Sequence, residues 1–302
     1  MRDRTDPGQE RNSNLSRDLY RRVLDRLGFD TAPEITTAGL ARAYRAWGET
    51  IPFDNAAKLV ALRTNTSGNL PGIDAVEFFE NFLEHGVGAT CWPSSNALLS
   101  LLTQMGFDAR RLAGSMRDTG VISHGTTRVC LDGQYWLVDS SMLTGILVPL
   151  NQELFVSGDP LWSVETEYDE GSHIIWWDSV PAPEYIPCRL LSNEVTYDFY
   201  LERYEASRIK SPFNERIYAR INRPHEILVI SGNRRFLKTA AGVEGSLLSE
   251  TQLEQSLADE IGFSGAMIDR LRKCGALAAS MIPNEGPPPP PTRPRPSRRG
   301  IA

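Results

Sequence analysis

The sequence predicts an α+β protein, and three observations carry that prediction. Residues 14 to 105 repeat apolar side chains at a helical spacing, the stretch after about residue 107 changes to an alternation of period two, and helical and strand signals mix again after residue 190. The chain has 302 residues, enough to bury a sizeable core. Its 41% apolar and 23% charged residues are those of a globular protein.

In chain order, "NLSRDLYRRVLDRLGF" places apolar residues at 15, 19, 20, 23, 24 and 27 and meets a stop signal at Gly28. "TTAGLARAYRAWGET" reads as a second helix, ended at Gly48, and a loop rich in Asn, Thr and Gly fills 64–72. "DAVEFFENFLEHG" supplies a third helix with Asp74 as its cap, and a fourth runs from Cys91 to Met105-Gly106. "TTRVCLDGQYWLVD" is a hairpin around Asp132-Gly133, with further strands expected in 147–156, 160–166, 173–179 and 186–190. The region 193–210 is mixed, and "HEILVISGNRRFLKTA" folds back around Gly232-Asn233. "SETQLEQSLADEIGF" opens with a capping box from Ser249 to Gln252, and "AMIDRLRKCGALAASM" is a last helix. The Pro- and Arg-rich end, 284–302, is expected to be a disordered tail.

The net charge of −6 argues against a nucleic-acid partner, and no apolar run reaches the length of a bilayer span. The charged N-terminus lacks a signal-peptide pattern, so a cytoplasmic location is expected. The four cysteines, Cys91, Cys130, Cys188 and Cys274, are scattered without a C-x-x-C pair, so free thiols and no metal site are expected. Neither G-x-x-x-x-G-K-[ST] nor H-E-x-x-H occurs.

Among these cysteines Cys91 stands apart. Pro93 suits the first turn of a helix, and Ser94 and Ser95 are available to satisfy its free amides. A thiol at a helix N-terminus faces the positive end of the dipole, which favours the thiolate. The competing reading is a small buried apolar residue, the commoner fate of a free cysteine. Hairpin geometry adds to the first reading. With a two-residue turn at 132–133, residue 131 faces 134 and 126 faces 139, so 124, 126, 139 and 141 share one face. His124 and Asp139 then become diagonal neighbours, their Cα atoms about 7–8 Å apart. A histidine oriented by a carboxylate is the base half of a Cys-His-Asp triad; the alternative is a strand-end histidine beside a solvated aspartate. His85, His173 and His225 lack such a partner in sequence.

These residues resemble the arylamine N-acetyltransferase family over most of residues 15–262. "ETIPFDN" is similar to the family's I-P-F-E-N, and "GATCWPSSNALLSLLTQMGF" to its G-G-x-C segment and following helix. "SHGTTRVCLDGQYWLVDSS" resembles its T-H…L-D-G…W-L-x-D-V block, and "KSPFNERIYARI", "SGNRRFL" and "LEQSLADEIGF" its C-terminal motifs. The resemblance implies an N-terminal helical bundle (1–86), a nucleophile helix with a central antiparallel β-barrel carrying a cysteine-protease-like Cys-His-Asp core (87–190), and an α/β lid with C-terminal helices (191–283). It implies ping-pong acyl transfer in which Cys91 attacks a thioester, His124 takes the proton and Asp139 holds the ring. It also implies no bound cofactor, with acyl-CoA or acyl-phosphopantetheine as the expected donor substrate.

The pattern departs near the nucleophile. R-G-G-x-C becomes Val87-Gly88-Ala89-Thr90-Cys91, C-F-E-Q-N becomes Cys91-Trp92-Pro93-Ser94-Ser95, and D-V-G-F-G becomes Asp139-Ser140-Ser141-Met142-Leu143. Such changes suit relatives in specialised metabolism, including antibiotic biosynthesis, that take a chain from an acyl or peptidyl carrier protein and close an amide. The alternative is a Dieckmann-type cyclase that forms a tetramate. Phe53, Trp92 and Ser140 are the candidate substrate-binding residues, with Trp162, Trp176 and Trp177 as further aromatics for a long chain.

Overall fold

A computed structural model describes residues 14–159, 161–178, 180 and 185–283. The tail expected at 284–302 lies outside them. Of the first helices, α1 (Arg17–Arg26), α2 (Thr37–Thr50) and α4 (Ala75–His85) share a core with α5 (Cys91–Gln104), whereas α3 (Ala56–Arg63) buries Ala56 and Leu59 in a separate core with Leu253, Leu271 and Leu277. Caps fall where the side chains provide them: the Ser16 hydroxyl accepts from Leu19 N, that of Thr36 from Gly39 N, and Asp74 from Val76 and Glu77. Gly86 ends α4 at φ 70°, a left-handed value that suits glycine.

Gly48 departs from expectation. It does not stop α2, which continues to Thr50. A Cβ there would lie 2.7 Å from the Leu143 carbonyl oxygen, so this glycine is a contact point between α2 and the 139–145 segment.

The strands β2 (Asp108–Met116), β3 (His124–Leu131), β4 (Gln134–Val138), β5 (Val148–Pro149), β6 (Val164–Asp169), β7 (Ser172–Trp177) and β8 (Ile186–Leu190) form a nearly closed antiparallel barrel, ordered β5-β4-β3-β2-β8-β7-β6. Its interior holds Leu137, Val164, Ile175, Trp177 and Leu190. In place of the long strands expected at 147–156 and 160–166, the strands are 148–149 and 164–169, with Val156 bridging to Glu165. Asp159 caps a turn between them by accepting from Leu161 and Trp162.

After the barrel come α6 (Tyr197–Ala206) and a second sheet of β9 (Tyr218–Arg223), β10 (Glu226–Ser231), β11 (Arg234–Thr239) and β12 (Gly242–Leu247). Its far edge is β1 (Phe53–Asp54), drawn from the start of the chain: Phe53 pairs with Arg220 and Asp54 with Ala219. The capping box at Ser249 and Gln252 starts α7 (Glu250–Gln255), which runs on into a π-helical turn at Ser256–Ile261. The helices α8 (Gly265–Lys273) and α9 (Ala276–Ser280) complete the core beneath this sheet. Among the described residues no helix is long and apolar enough to cross a membrane.

Candidate active site

Cys91 is the first residue of α5, so its sulfur sits at the positive end of that helix. The cap differs from the expected one. Thr90 makes no side-chain capping bond, the Ser94 hydroxyl donates to the Ala89 carbonyl (2.9 Å), and the Ser95 hydroxyl donates to the Gly125 carbonyl (2.7 Å). The two serines tie the helix to its lead-in and to β3, leaving the first-turn amides of Cys91 and Trp92 uncapped by them; Pro93 has no N–H to offer. Gly125 makes the helix–strand approach possible, because a Cβ there would lie 2.6 Å from the Trp92 ring.

The β3–β4 hairpin keeps the register that a turn at Asp132-Gly133 requires, from Leu131↔Gln134 to Thr127↔Val138. Both turn residues have positive φ, 52° and 75°. Pairing then stops, so His124 and Asp139 do not meet across a continuing ladder. They meet because Asp139 folds back over its own loop. Its Oδ1 accepts from Ser141 N and Met142 N, both at 2.9 Å, and its Oδ2 lies 2.6 Å from His124 Nε2. His124 Nδ1 is thus the ring nitrogen left for another partner, and the Cys91 Sγ donates to the carbonyl of Ser123, the residue before His124 (3.8 Å). The three side chains are buried: Cys91 is 8% exposed, His124 4% and Asp139 1%.

Burial disfavours a charged His124. The Asp139 carboxylate and the Cys91 sulfur outweigh it and raise the ring to about 10. Burial also works against the Asp139 carboxylate, but the His124 charge and hydrogen bond, with the two loop amides, bring it below the ordinary value.

Tyr44 was invisible as a site residue in the sequence. Its hydroxyl donates to the Asp139 carbonyl (2.7 Å), accepts from Asp139 N (3.1 Å) and lies 3.2 Å from Thr144 Oγ1. Tyr44→Phe is expected to destabilise the fold by about 1–3 kcal/mol, because it orphans a buried N–H and a buried C=O, and to slow acylation. Equal denaturation midpoints for the two proteins would remove this role.

Two residues from the second sheet hold the same loop. Arg220 Nη2 donates to the Met142 carbonyl (2.9 Å) and Asn222 Nδ2 to that of Leu143 (2.5 Å). Leu143 has φ 54°, a left-handed conformation costing a non-glycine residue about 1–2 kcal/mol. The pattern this chain resembles has glycine at that place. These contacts, with the Gly48 approach, hold the strained residue and so fix Asp139.

The other expected site residues lie as follows. Phe53 packs edge-on against Phe213 and Tyr218 and bridges to Ala89, two residues before Cys91. The Trp92 ring is buried edge-on against Tyr200 and Phe199, and the Ser140 hydroxyl lies 2.8 Å from that of Ser95. Trp162 lies under the Arg220 guanidinium (4.2 Å), while Trp176 and Trp177 are buried in the barrel wall. His85 contacts Ser264 and His173 the Gln152 carbonyl, both away from Cys91 in the fold.

The comparisons agree with this architecture. A family model described as N-acetyltransferase matches residues 36–153. The structure of the Mycobacterium marinum arylamine N-acetyltransferase in complex with CoA superposes with a TM-score of 0.75, covering 87% of this chain and 98% of that one at 16% identity. The Mycobacterium abscessus arylamine N-acetyltransferase gives 0.73, covering 88% and 96% at 17% identity. The chain therefore has the arylamine N-acetyltransferase fold. Among curated proteins it matches the Proansamycin X synthase of Amycolatopsis mediterranei (strain S699), 29% identical over 121 residues. That match spans 38% of this chain and 45% of the synthase.

Proposed function

We propose that the protein is a cysteine acyltransferase of specialised metabolism that works through an acyl-enzyme on Cys91. The observation that carries this reading is the buried alignment of Cys91, His124 and Asp139, with the Asp139 carboxylate 2.6 Å from the ring. The Cys91 thiolate attacks the carbonyl carbon of an acyl thioester, and the first-turn amides of α5 face the developing oxyanion. His124, held by Asp139, gives its proton to the departing thiolate. An amine then attacks the acyl-enzyme; His124 takes the amine's proton, the amide forms and the Cys91 sulfur is released.

The donor in this reading is a pantetheine thioester. CoA is supported by the complexed mycobacterial relative, and a carrier-protein arm, the second source, is of the same chemistry. The ansamycin-synthase match supports a biosynthetic role.

Intact-protein mass spectra after incubation with acetyl-CoA, acyl-pantetheine and acyl-carrier thioesters test the proposal. A mass gain equal to the acyl group is expected with at least one donor, absent in Cys91→Ala, and the donor that labels fastest identifies the class. Absence of labelling by all three donors, or full turnover by Cys91→Ala, would end the covalent mechanism.

A further inference from the structure

Trp162 belongs to the segment that leads into β6 of the barrel, yet its side chain lies against the second sheet. A local turn fixes its backbone: Asp159 Oδ1 accepts from Trp162 N (3.0 Å), and the Ser157 hydroxyl donates to the Trp162 carbonyl (3.1 Å). The residue is buried and packs with Leu161 and Val180 against Ile227 and Val229 of β10. Register explains what else it meets. Arg220 pairs with Val229, while Asn222 and Lys238 both pair with Ile227, so all five side chains share one face of the sheet.

Two cations of that face approach the ring. The Arg220 guanidinium stands 4.2 Å over it and the Lys238 ammonium 5.9 Å. They differ in their partners. Lys238 is paired with the Asp178 carboxylate, whereas among the described residues no carboxylate forms an ion pair with Arg220. The guanidinium donates instead to neutral acceptors, from Nε to Asn222 Oδ1 (3.4 Å) and from Nη2 to the Met142 carbonyl (2.9 Å). A buried guanidinium in such company is drawn to the negative face of an indole, which also fixes the plane of its donors.

We propose that Trp162 is a positioning residue for the His124–Asp139 pair, acting through Arg220. The chain of contacts is short and unbroken. The ring holds the guanidinium, Arg220 Nη2 holds the Met142 carbonyl, Met142 N donates to Asp139 Oδ1 (2.9 Å), and Asp139 Oδ2 lies 2.6 Å from His124 Nε2. A plug between barrel and sheet needs only apolar volume; aiming Arg220 needs the π face. That difference makes the role testable.

The rate effect rests on the Cys91 acyl-transfer reading, so the first measurement uses no acyl donor. The proton between His124 and Asp139 is followed by NMR as a downfield signal of the full chain labelled with nitrogen-15 histidine, and is assigned by its loss in His124→Gln. Trp162→Leu keeps an apolar side chain and removes the π face. It is expected to shift or broaden that signal and to slow Cys91 acylation about tenfold at unchanged KM for the thioester. Trp162→Phe, which keeps a π face, should retain both to within about twofold. A plug alone would lower the melting temperature of Trp162→Leu and leave the signal and rate of the folded protein in place. That outcome, or equal losses in Trp162→Phe, overturns the proposal. Because the ring acts through Arg220, adding Trp162→Leu to Arg220→Met should cost no further rate, and losses that multiply overturn it as well.

Should Trp162→Leu fail to fold, fluorinated tryptophans placed at position 162 decide. Each fluorine draws charge from the ring face at nearly constant shape, so acylation should slow stepwise with their number, and a rate indifferent to fluorine overturns the proposal. A wild type that no thioester labels, with the signal still moved in Trp162→Leu, removes the acyl-transfer reading and supports the positioning role. Normal labelling with signal and rate unmoved removes Trp162 alone.

Discussion

Asp139→Asn is expected to slow acylation of Cys91 by about 10³–10⁴-fold, the scale seen when an orienting carboxylate is made an amide. The side-chain amide would place an N–H₂ donor opposite His124 Nε2, or offer only a neutral oxygen in the same place. The first outcome forces the proton onto Nδ1, the nitrogen that has to accept it, and the second leaves the imidazolium without its counter-charge. Stopped-flow acylation by the best thioester donor measures the loss, and a change under tenfold would take Asp139 out of the mechanism. The pair also shapes stability against pH. His124 is raised from 6.5 to about 10, so its contribution is complete below 6.5 and disappears as pH climbs through about 10. Asp139 is lowered from 3.8, so its contribution is present above that value and lost as pH falls further. Melting temperatures of the wild type should therefore fall toward pH 10 more steeply than those of Asp139→Asn.

The second large effect is expected at Gly88, two residues before Thr90. A Cβ there would sit 1.8 Å from the Pro52 carbonyl oxygen and 2.9 Å from its carbon, both backbone atoms. Neither strand can yield freely, since Asp54 N donates to the Ala89 carbonyl (3.3 Å) and Gly88 N to Asp54 Oδ2 (2.6 Å). Gly88→Ala should cost on the order of 3–4 kcal/mol, which lowers the melting temperature by roughly 10 °C for a chain of this size. Gly265→Ala is the matched control. Nothing stands within 4 Å of a Cβ at that position, in the first turn of α8, and its effect should stay within about 0.5 kcal/mol. Similar melting temperatures for both variants would mean that the 52–54 and 88–89 segments move apart easily.

The site was legible in the sequence where local geometry decides it. Asp132-Gly133 sets the register of its hairpin from Leu131↔Gln134 to Thr127↔Val138, but pairing ends before Asp139, whose carboxylate reaches His124 from its own loop. A cysteine followed two residues later by proline marks a helix start, and Cys91 is the first residue of α5. What could not be read depends on partners far along the chain. Tyr44 reaches Asp139 across 95 residues, and Arg220 reaches Met142 across 78. No spacing rule links such pairs. Gly48 misled for the same reason: its role is set by the Leu143 carbonyl, and a glycine in a helical pattern reads by default as an end. Ser94 and Ser95 have the residue types of a helix cap, yet tertiary acceptors compete for their hydroxyls and win.

The pairing of β1 with β9 carries a consequence for how the molecule is made. Residues 53–54 complete a sheet whose other strands begin at residue 218, so this edge closes only after more than two-thirds of the chain has been synthesised. The segment that Asp54 holds, 88–89, leads into Cys91, and the carbonyls that fix Asp139 wait for Arg220 and Asn222 on the same late strand. A nascent chain thus carries the 139–143 loop for most of translation without the side chains from β9 that hold its carbonyls. A break in the polypeptide between the barrel and β9 would accordingly be felt at the cysteine, more than a hundred residues upstream.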